Sequence, residues 1–351
     1  MIYFRNSVLM FLTVFITFPL ALGCGDQQLP QTSSSVNAGV PPTESLDETK
    51  QSEGDFTPLD GSKNGPFLAV LGITQDAGYP QAACQKECCR SAWQDPTQRR
   101  HPVCLAIVDQ QAQKRWMVEC TPEFPEQLQM LDKLAPAGSP PGLDGILLTH
   151  AHIGHYAGLI HLGREVIGAD CIPVYAMPRM QAFLTENGPW SQLVSLDNID
   201  IRPLESDKAV DLSPTISVTP IHVPHRGEYS ETVAYLIAGP NRRVLFLPDI
   251  DKWEKWDRRV EDVVATVDVA FLDGSFFDGD ELPGRDMSEI PHPFIIESMS
   301  RFANLPAEGK AKIRFIHFNH TNDALRSGSE AARQIRDAGF HIAEQGERVE
   351  L

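Results

Sequence analysis

The sequence predicts an α/β fold in the part of the chain from Gly65 to Leu351. Short apolar runs of four to six residues recur there, which is the pattern of strands buried in a packed sheet. Several runs end in His or Asp, so residues able to bind metals are expected on loops at one edge of the sheet core. These 287 residues are enough for one large domain.

The strands are predicted in chain order from these apolar runs. The first run stops at Gly72 and leads into a loop through Tyr79-Pro80, which is a turn signal. The second and third runs flank a polar turn and predict a hairpin. The fourth run precedes a histidine cluster, and a helix is expected to begin near Tyr156. The runs are Phe67–Leu71, Cys104–Val108, Trp116–Cys120, Gly145–Leu148, Ile216–Thr219, Thr232–Ile237, Val244–Leu247, Val269–Leu272 and Ile313–Ile316.

Residues 1–23 are predicted to be an export signal. Arg5 precedes a mostly apolar stretch from Val8 to Leu22, the order of a secretory signal. The stretch is shorter than the roughly 20 apolar residues that a membrane-spanning helix needs. Leu20-Ala21-Leu22-Gly23-Cys24 resembles a bacterial lipobox, which predicts an exported cell-envelope lipoprotein, anchored to the periplasmic face of a membrane by a lipid on Cys24. Ordinary signal cleavage is the alternative.

Residues 24–64 are predicted to be a disordered tether because they are rich in Ser, Pro, Gln, Thr and acids and poor in large apolar residues. The chain has a formal net charge of −17. Without Arg5 and without the two lysines and seven acids of the tether, about −13 remains on residues 65–351. Such a surface repels phosphate backbones, so we expect no nucleic-acid partner and a small-molecule substrate.

The histidines of Thr149-His150-Ala151-His152-Ile153-Gly154-His155 predict a metal site. His-x-His places two imidazoles on one side of an extended backbone, and a third can join them from the start of a helix. Isolated histidines are usually structural, but three within six residues after a strand indicate ligands. Later strand ends add candidates at His222, His225, Asp249, His317 and His320.

The seven cysteines divide into three groups. Cys24 belongs to the lipobox. Cys84, Cys88 and Cys89 lie within six residues after a turn, which is a poor arrangement for disulfides and predicts a metal knuckle; a reduced or disulfide-linked loop is the alternative. The others are expected to be buried packing residues: Cys104, Cys120 and Cys171.

This set of motifs resembles the metallo-β-lactamase superfamily, whose Thr-His-x-His-x-Asp-His motif is followed by a His, an Asp and a final His at strand ends. The resemblance implies the metallo-β-lactamase fold, an αββα four-layer sandwich. Within the superfamily the chain is similar to the pyrroloquinoline quinone biosynthesis protein B group, and also to phosphodiesterase and transfer-RNA-processing branches. The supporting stretches are Gly78-Tyr79-Pro80-Gln81, Leu272-Asp273-Gly274-Ser275 and Gly284-Arg285-Asp286-Met287.

The resemblance also implies how the ligands are divided. His150, His152 and His225 would hold the first metal, His155 and His317 the second, with the catalytic Asp249 as a bridge. His225 is preferred to His222 because of its spacing from the preceding strand. In the phosphodiesterase branch a structural zinc is held by three cysteines and a histidine, which implies Cys84, Cys88, Cys89 and His320 here, although the Cys-x-x-x-Cys-Cys spacing departs from that branch.

Metals in such a site would lower the pKa of a bound water towards about 7 and polarise a substrate oxygen. The chain is therefore expected to be a zinc-dependent hydrolase that uses a metal-bound hydroxide on a small ester, phosphodiester or lactam-like substrate, with iron or manganese as other possible metals. One alternative is an oxidative or accessory role in quinone cofactor synthesis, with iron. A non-catalytic metal-binding lipoprotein is the other.

Two further residues are predicted at the site. Gly154 stands where the superfamily motif has its ligating aspartate, and Asp76, in the loop after the first strand, is predicted to supply the missing carboxylate; a role in turn hydrogen bonds is the alternative. Adding Gly154→Asp to Asp76→Ala would then restore some metal binding. Relatives place a histidine from this part of the chain over the metals, so the resemblance implies that His292, in Ile290-Pro291-His292-Pro293, donates a proton to a leaving group, a task that suits a near-neutral pKa; a histidine on a surface loop is the alternative.

Overall fold

The computed structural model describes residues 65–351, so the predicted signal and tether lie outside the described residues. Two seven-stranded sheets form the centre of this part. The first has the order β14-β1-β2-β3-β4-β5-β6, with a parallel half from β3 to β6. Its strands are β1 Phe67–Gly72, β2 Cys104–Asp109, β3 Lys114–Val118, β4 Gly145–Leu147, β5 Ile172–Ala176, β6 Ile199–Pro203 and β14 Arg348–Glu350.

The second sheet has the order β13-β12-β11-β10-β9-β8-β7. Strands β10 to β13 are parallel, and β7 to β10 are antiparallel. Its strands are β7 Val210–Asp211, β8 Ser217–His222, β9 Val233–Ala238, β10 Arg243–Leu247, β11 Val269–Asp273, β12 Ile313–Ile316 and β13 His341–Ile342.

Alternation along β1 shows why two layers of core form. Leu68 and Val70 belong to the same buried cluster as Leu245 and Phe271 of the second sheet, because successive side chains of a strand point to opposite faces. Phe67, Ala69 and Leu71 point the other way into a second cluster, beneath helices. The two sheets therefore enclose one core, and each outer face is covered by helices.

The helices complete the outer layers. Apolar residues of α2, α4 and α5 pack on the first sheet, and those of α6, α7 and α9 pack on the second. This confirms the predicted αββα arrangement. The helices are α1 Glu87–Gln94, α2 Phe124–Leu134, α3 Ile153–Tyr156, α4 Pro178–Glu186, α5 Trp190–Ser195, α6 Val260–Ala265, α7 Ile295–Arg301, α8 Ala307–Lys310 and α9 Glu330–Asp337.

The predicted strands are all present, and their ends shift by at most three residues. The expected helix near Tyr156 instead begins at Ile153 and continues as a 3-10 helix over Ala157–Leu162. No helix among residues 65–351 is long and apolar enough to cross a bilayer.

Candidate metal centre

Four predicted ligands form a first cluster in which the ligand atoms all lie within 4.8 Å of one another. They follow β4, β8 and β10, whose ends open on the same edge of the sandwich. The Nε2 atoms of His150 and His225 are each 3.2 Å from an oxygen of Asp249, and Nδ1 of His152 is 3.9 Å from Oδ2 of Asp249. The structure thus brings together the residues predicted for the first metal: His150, His152, His225 and Asp249.

A second cluster contains Asp76, His155 and His317. Nε2 of His155 is 3.2 Å from Oδ1 of Asp76, and the Nε2 atoms of His155 and His317 are each 3.9 Å from Oδ2 of Asp249. Asp249 therefore lies between the two clusters, as predicted for a bridging ligand. Asp76 belongs to this second cluster, although it precedes His155 by 79 positions in the chain.

Unpartnered polar atoms test whether these residues fit metal ions. A buried nitrogen or oxygen without a hydrogen bond costs free energy, and such atoms are rare in folded proteins. Six of them converge here, and each imidazole nitrogen lies 3.2 to 3.9 Å from a carboxylate oxygen of the centre, while ligand atoms 2.0–2.1 Å from a tetrahedral zinc are about 3.3 Å apart. The residues fit one or two cations. The atoms are Nε2 of His150, His155, His225 and His317, and Oδ1 of Asp76 and Asp249.

Glu119 orients two of the histidines from behind. Its side chain is fully buried and accepts hydrogen bonds from Nδ1 of His155 at 3.2 Å and from Oγ1 of Thr149 at 2.6 Å. Because the only hydroxyl proton of Thr149 is used in this way, its Oγ1 must accept from Nδ1 of His150, at 2.9 Å. Both imidazoles then present the lone pair of Nε2 to the centre.

The other three histidines are oriented in the same manner. Nδ1 of His225 contacts Asp251 at 3.1 Å, and Nε2 of His152 contacts Glu228 at 3.3 Å, which turns Nδ1 of His152 inwards. The hydroxyl of Ser275 donates to Asp273 at 2.8 Å and accepts from Nδ1 of His317 at 2.9 Å. Every imidazole of the centre therefore has its outer nitrogen fixed and its inner nitrogen free for a metal. The carboxylates of Asp251 and Glu228 thus orient His225 and His152.

The electrostatics of the centre favour neutral imidazoles at His225 and His317 and anionic carboxylates. Burial would lower the pKa of His155, but Glu119 and Asp76 raise it well above the usual range, so a metal there would have to replace a proton. Burial lowers the pKa of His317 to about 4 and also lowers the pKa of His225. Burial alone would raise the pKa of Asp76, but its contact with His155 outweighs this and holds the pKa well below the usual range. Neutral imidazoles and ionised carboxylates are the protonation states that bind metals.

His292 lies beside the bridging carboxylate and is buried. Its Nδ1 is 2.8 Å from Oδ2 of Asp273 and 3.2 Å from Oδ1 of Asp249. Burial would lower the pKa of His292, but these two carboxylates raise it to about 9. The cationic form of His292 is therefore favoured while Asp249 is free of metal, and its Nε2 is the ring nitrogen left to exchange a proton with a substrate. That role stays a prediction.

The space that the side chain of the motif aspartate would occupy is filled by the loop that contains Asp76. A Cβ built on Gly154 would lie 2.3 Å from both Cα and Oδ1 of Asp76. Glycine at this position thus lets the loop after β1 approach the histidine motif. This close approach disfavours the prediction that Gly154→Asp would restore binding in Asp76→Ala, because Cα of residue 76 would have to move even after its side chain is shortened; it stays a prediction.

The predicted cysteine cluster is also assembled, from Cys84, Cys88, Cys89 and His320. Nδ1 of His320 is 3.3 Å from Sγ of Cys89 and 3.7 Å from Sγ of Cys88, which is 3.7 Å from Sγ of Cys84. Thiolates 2.3 Å from a tetrahedral zinc are about 3.8 Å apart. Burial raises the pKa of Cys89 to about 12, so a cation would have to replace its proton.

Other sequence predictions have mixed outcomes. His222 ends β8 with an exposed side chain, which supports the choice of His225. Cys104 and Cys120 are buried as expected, but the prediction for Cys171 is wrong. Cys171 precedes β5 with φ +52, and this turn directs it to the surface. All six cysteines of the described part are free thiols.

Several orienting residues have weaker sequence signals and were not among the predicted ligands. Glu119 follows an apolar strand directly, but many surface acids also lie at strand ends, so its position is a weak signal. Asp251 follows Asp249 by two residues. Ser275 and Asp273 lie in a stretch that supported the family resemblance without any role assigned to them.

The chain belongs to the beta-lactamase superfamily, because the model of that superfamily's domain matches residues 114–318, more than half of the chain. It is also similar to the coenzyme PQQ synthesis protein B of Xanthomonas campestris pv. campestris, with 26% identity over 314 residues that cover 81% of this chain and 99% of that protein. The protein of the same description from Methylorubrum populi is 24% identical over 313 residues, with the same coverage.

Solved structures support the same fold. The Zn(2+)-bound PqqB from Methylobacterium extorquens superposes with a TM-score of 0.69 at 20% identity and covers 81% of this chain and 100% of that one. A diphosphatase from the PhnP family gives a TM-score of 0.57 at 21% identity and covers 82% and 97%. The metallo-β-lactamase fold and the likeness to the PqqB group are thereby confirmed.

Proposed function

We propose that this protein is a metal-dependent enzyme that oxidises a small molecule, as a PqqB-like participant in quinone cofactor chemistry. The second cluster carries this proposal. Asp76, His155 and His317 are two histidines and one carboxylate, a set that holds iron(II) in non-haem oxygenases and also zinc in some hydrolases, and Asp249 would add a shared carboxylate. The relatives named for coenzyme PQQ synthesis, which match over almost their whole length, support the same reading.

The residues of the chain have distinct parts in this proposal. Iron held by Asp76, His155 and His317 would supply the redox chemistry. Asp249 would add a negative charge between the clusters, and the surrounding carboxylates and hydroxyls keep each imidazole in its binding tautomer. His292, between Asp249 and Asp273, would hold a proton beside the reacting group.

Access to the centre is expected from the side of its least buried ligands. The side chain of Asp76 is 30% exposed and that of His152 is 14% exposed, whereas those of His155 and His317 are fully buried. A small molecule would therefore meet the centre between Asp76 and His152.

Hydrolysis is the second candidate, and the shared position of Asp249 favours it. Two cations bridged by one carboxylate are the arrangement of many two-metal hydrolases. With zinc in both clusters, such a site would act on a small ester, phosphodiester or lactam-like bond. A metal-binding protein without turnover is the third possibility, and failure of both assays below would favour it.

Metal analysis and oxygen uptake separate these functions. We would purify the protein without added metal and without chelators, measure iron and zinc, and follow oxygen consumption with catechols and hydroquinones, since quinones form by their oxidation. The proposal expects bound iron and oxygen uptake that Asp76→Ala abolishes. Protein with zinc alone, no oxygen uptake after iron loading, and cleavage of phosphodiester or lactam test compounds would instead establish the hydrolase.

We also propose that the protein is exported and lipid-anchored through Cys24, on the strength of the lipobox-like sequence. Its acidic charge further argues for a small-molecule substrate and against nucleic acid. Metabolic labelling with a radioactive fatty acid should mark the wild-type protein and not Cys24→Ala. Unlabelled wild-type protein would refute the anchor and leave the metal centre unaffected.

A further inference from the structure

We propose that a metal in the cysteine cluster positions the ligands of the second cluster, so that its occupancy sets the metal affinity of Asp76, His155 and His317 but not that of the first cluster. The proposal rests on the metal centre described under the proposed function. It concerns metal binding alone and does not depend on which reaction the centre catalyses.

The first observation is that two paired segments lead from the second cluster to the cysteine cluster. The amide of Phe318 donates to the carbonyl of Ile73, and the amide of Gln75 donates to the carbonyl of Phe318, both at 2.9 Å. Asp76 follows the first segment and His317 belongs to the second. A displacement of either segment therefore moves a ligand of the second cluster.

The same two segments continue directly into the cysteine cluster. The chain after Asp76 reaches Cys84 within eight residues, and His320 follows His317 by three. Within residues 65–351, the polar contacts that join residues 84–89 to residues 317–320 are those of Nδ1 of His320 with Sγ of Cys88 and Cys89. A cation shared by these atoms would add a second link between the two segments, beyond the backbone pair at Phe318.

This link would restrain the backbone conformation of His317. His317 has φ +67, in the left-handed region that a residue with a Cβ adopts at a cost in free energy and keeps only where its surroundings impose it. Part of this turn is already held, because the amide of Asn319 donates to the carbonyl of Ser275 and the hydroxyl of Ser275 contacts Nδ1 of His317, both at 2.9 Å. Anchoring His320 would add a restraint on the other side of the turn, and without it we expect Nε2 of His317 to be held less precisely towards Asp76 and Asp249.

The first cluster lacks such a link. His150 and His152 follow β4, and His225 and Asp249 follow strands of the second sheet. Their orienting partners lie away from the cysteines: Thr149 with Glu119, Glu228, and Asp251, which is itself paired with Lys255 at 2.8 Å. Loss of the cysteine-bound metal should therefore leave the affinity of the first cluster unchanged.

The other attachments of residues 84–93 stay in place when the metal is lost. The hydroxyl of Tyr79 donates to the carbonyl of Cys88, and the indole of Trp93 donates to the carbonyl of Cys84, both at 2.7 Å. These bonds hold the cysteine segment to its own loop. They do not reach His320, so they cannot replace the proposed restraint.

Cobalt(II) titration of the full chain tests the proposal, because thiolate-to-cobalt charge transfer reports the cysteine cluster and ligand-field bands report the active centre. In Cys88→Ser we expect the charge-transfer band to weaken and to require more cobalt, because two thiolates remain. At cobalt concentrations that leave this cluster empty, the Kd of one active-centre cobalt should be higher by about 10-fold or more, within the 5–150-fold range of typical couplings. The Kd of the other should stay within about twofold. Cys88→His, which restores a ligand, should recover much of the loss.

Matched controls make the result specific. Cys171→Ser removes an exposed thiol outside the clusters and should change nothing. His152→Ala should weaken the first cluster and leave the charge-transfer band intact. If Cys88→Ser does not fold by circular dichroism, stripping the cysteine-bound metal from wild-type protein with an organomercurial gives the same comparison.

Three results would overturn the proposal. They are wild-type protein without a thiolate-to-cobalt band, equal loss of affinity at both active-centre positions, and two unchanged active-centre affinities once the cysteine-bound metal is gone. None of these experiments measures turnover. Failure of the proposed oxidative function would therefore be seen separately, as absent oxygen uptake in protein whose metal coupling is intact.

Discussion

Replacing Asp76 with alanine removes the carboxylate that the fold supplies in place of the missing motif aspartate. In the wild-type protein Oδ1 of Asp76 lies 3.2 Å from Nε2 of His155 and has no hydrogen-bond partner. The variant leaves two imidazoles and the shared Asp249 for the second metal. The first cluster loses nothing, because its ligands contact Asp249 and not Asp76.

The size of the effect follows from the ligand set. Changing a residue that only orients a metal ligand typically costs 10–100-fold in affinity. Loss of an anionic ligand itself should exceed this, so we expect the second Kd to rise by at least about 100-fold, or about 3 kcal/mol. Asp76→Asn, which keeps an oxygen without the charge, should have an intermediate effect.

Isothermal titration with zinc, followed by elemental analysis after dialysis, measures both affinities. Asp257→Ala, which removes an exposed carboxylate, is the matched control and should bind like the wild type. The reasoning fails if Asp76→Ala retains two active-centre equivalents at unchanged affinity, or if the weakened metal is the one held by His150 and His225.

Three further predictions concern the supporting structure. Gly154→Ala should lower the affinity for the second metal although every ligand is kept, because its Cβ would lie 2.3 Å from Cα of Asp76. Gly138→Ala, with open space around it, is the control, and equal metal content in the two variants would contradict the close approach. Glu119→Gln should raise metal Kd values by about 10–100-fold in titrations, since it replaces the carboxylate behind two imidazoles, and unchanged affinity would exclude that role. Burial raises the pKa of Glu281 from 4.5 to about 7, so the stability that Glu281 contributes is fully present below pH 4.5 and is lost as the pH rises through 7. In denaturant titrations the free energy of unfolding should fall by up to about 3 kcal/mol over this range. An equally steep fall in Glu281→Gln would refute the assignment.

The sequence was sufficient to predict most of the centre because its ligands are tied to strand ends. His150, His152 and His155 follow one apolar run, and Asp249 and His317 each follow another, so an edge-of-sheet site could be predicted before any distances were known. Asp76 was also predictable, because Gly154 leaves a ligand missing and the loop after β1 opens on the same edge.

Features that depend on side-chain direction could not be predicted in this way. Glu119 has the same local pattern as many surface acids, and its inward direction comes from φ +80 at the end of β3. Cys171 was placed wrongly for the same reason, since a positive φ before β5 reverses its direction. His292 could be predicted from the family resemblance, but its contact with Asp249 depends on packing of the loop between β11 and α7.

The central claim is that two clusters sharing Asp249 hold metal ions, and anomalous X-ray diffraction from crystals of iron- or zinc-loaded protein tests it most directly. The account predicts two peaks about 3.5–4 Å apart, one bonded to His150, His152 and His225, and the other to Asp76, His155 and His317. A single peak in the first cluster, with the carboxylate of Asp76 turned away from His155 in fully loaded crystals, would contradict it.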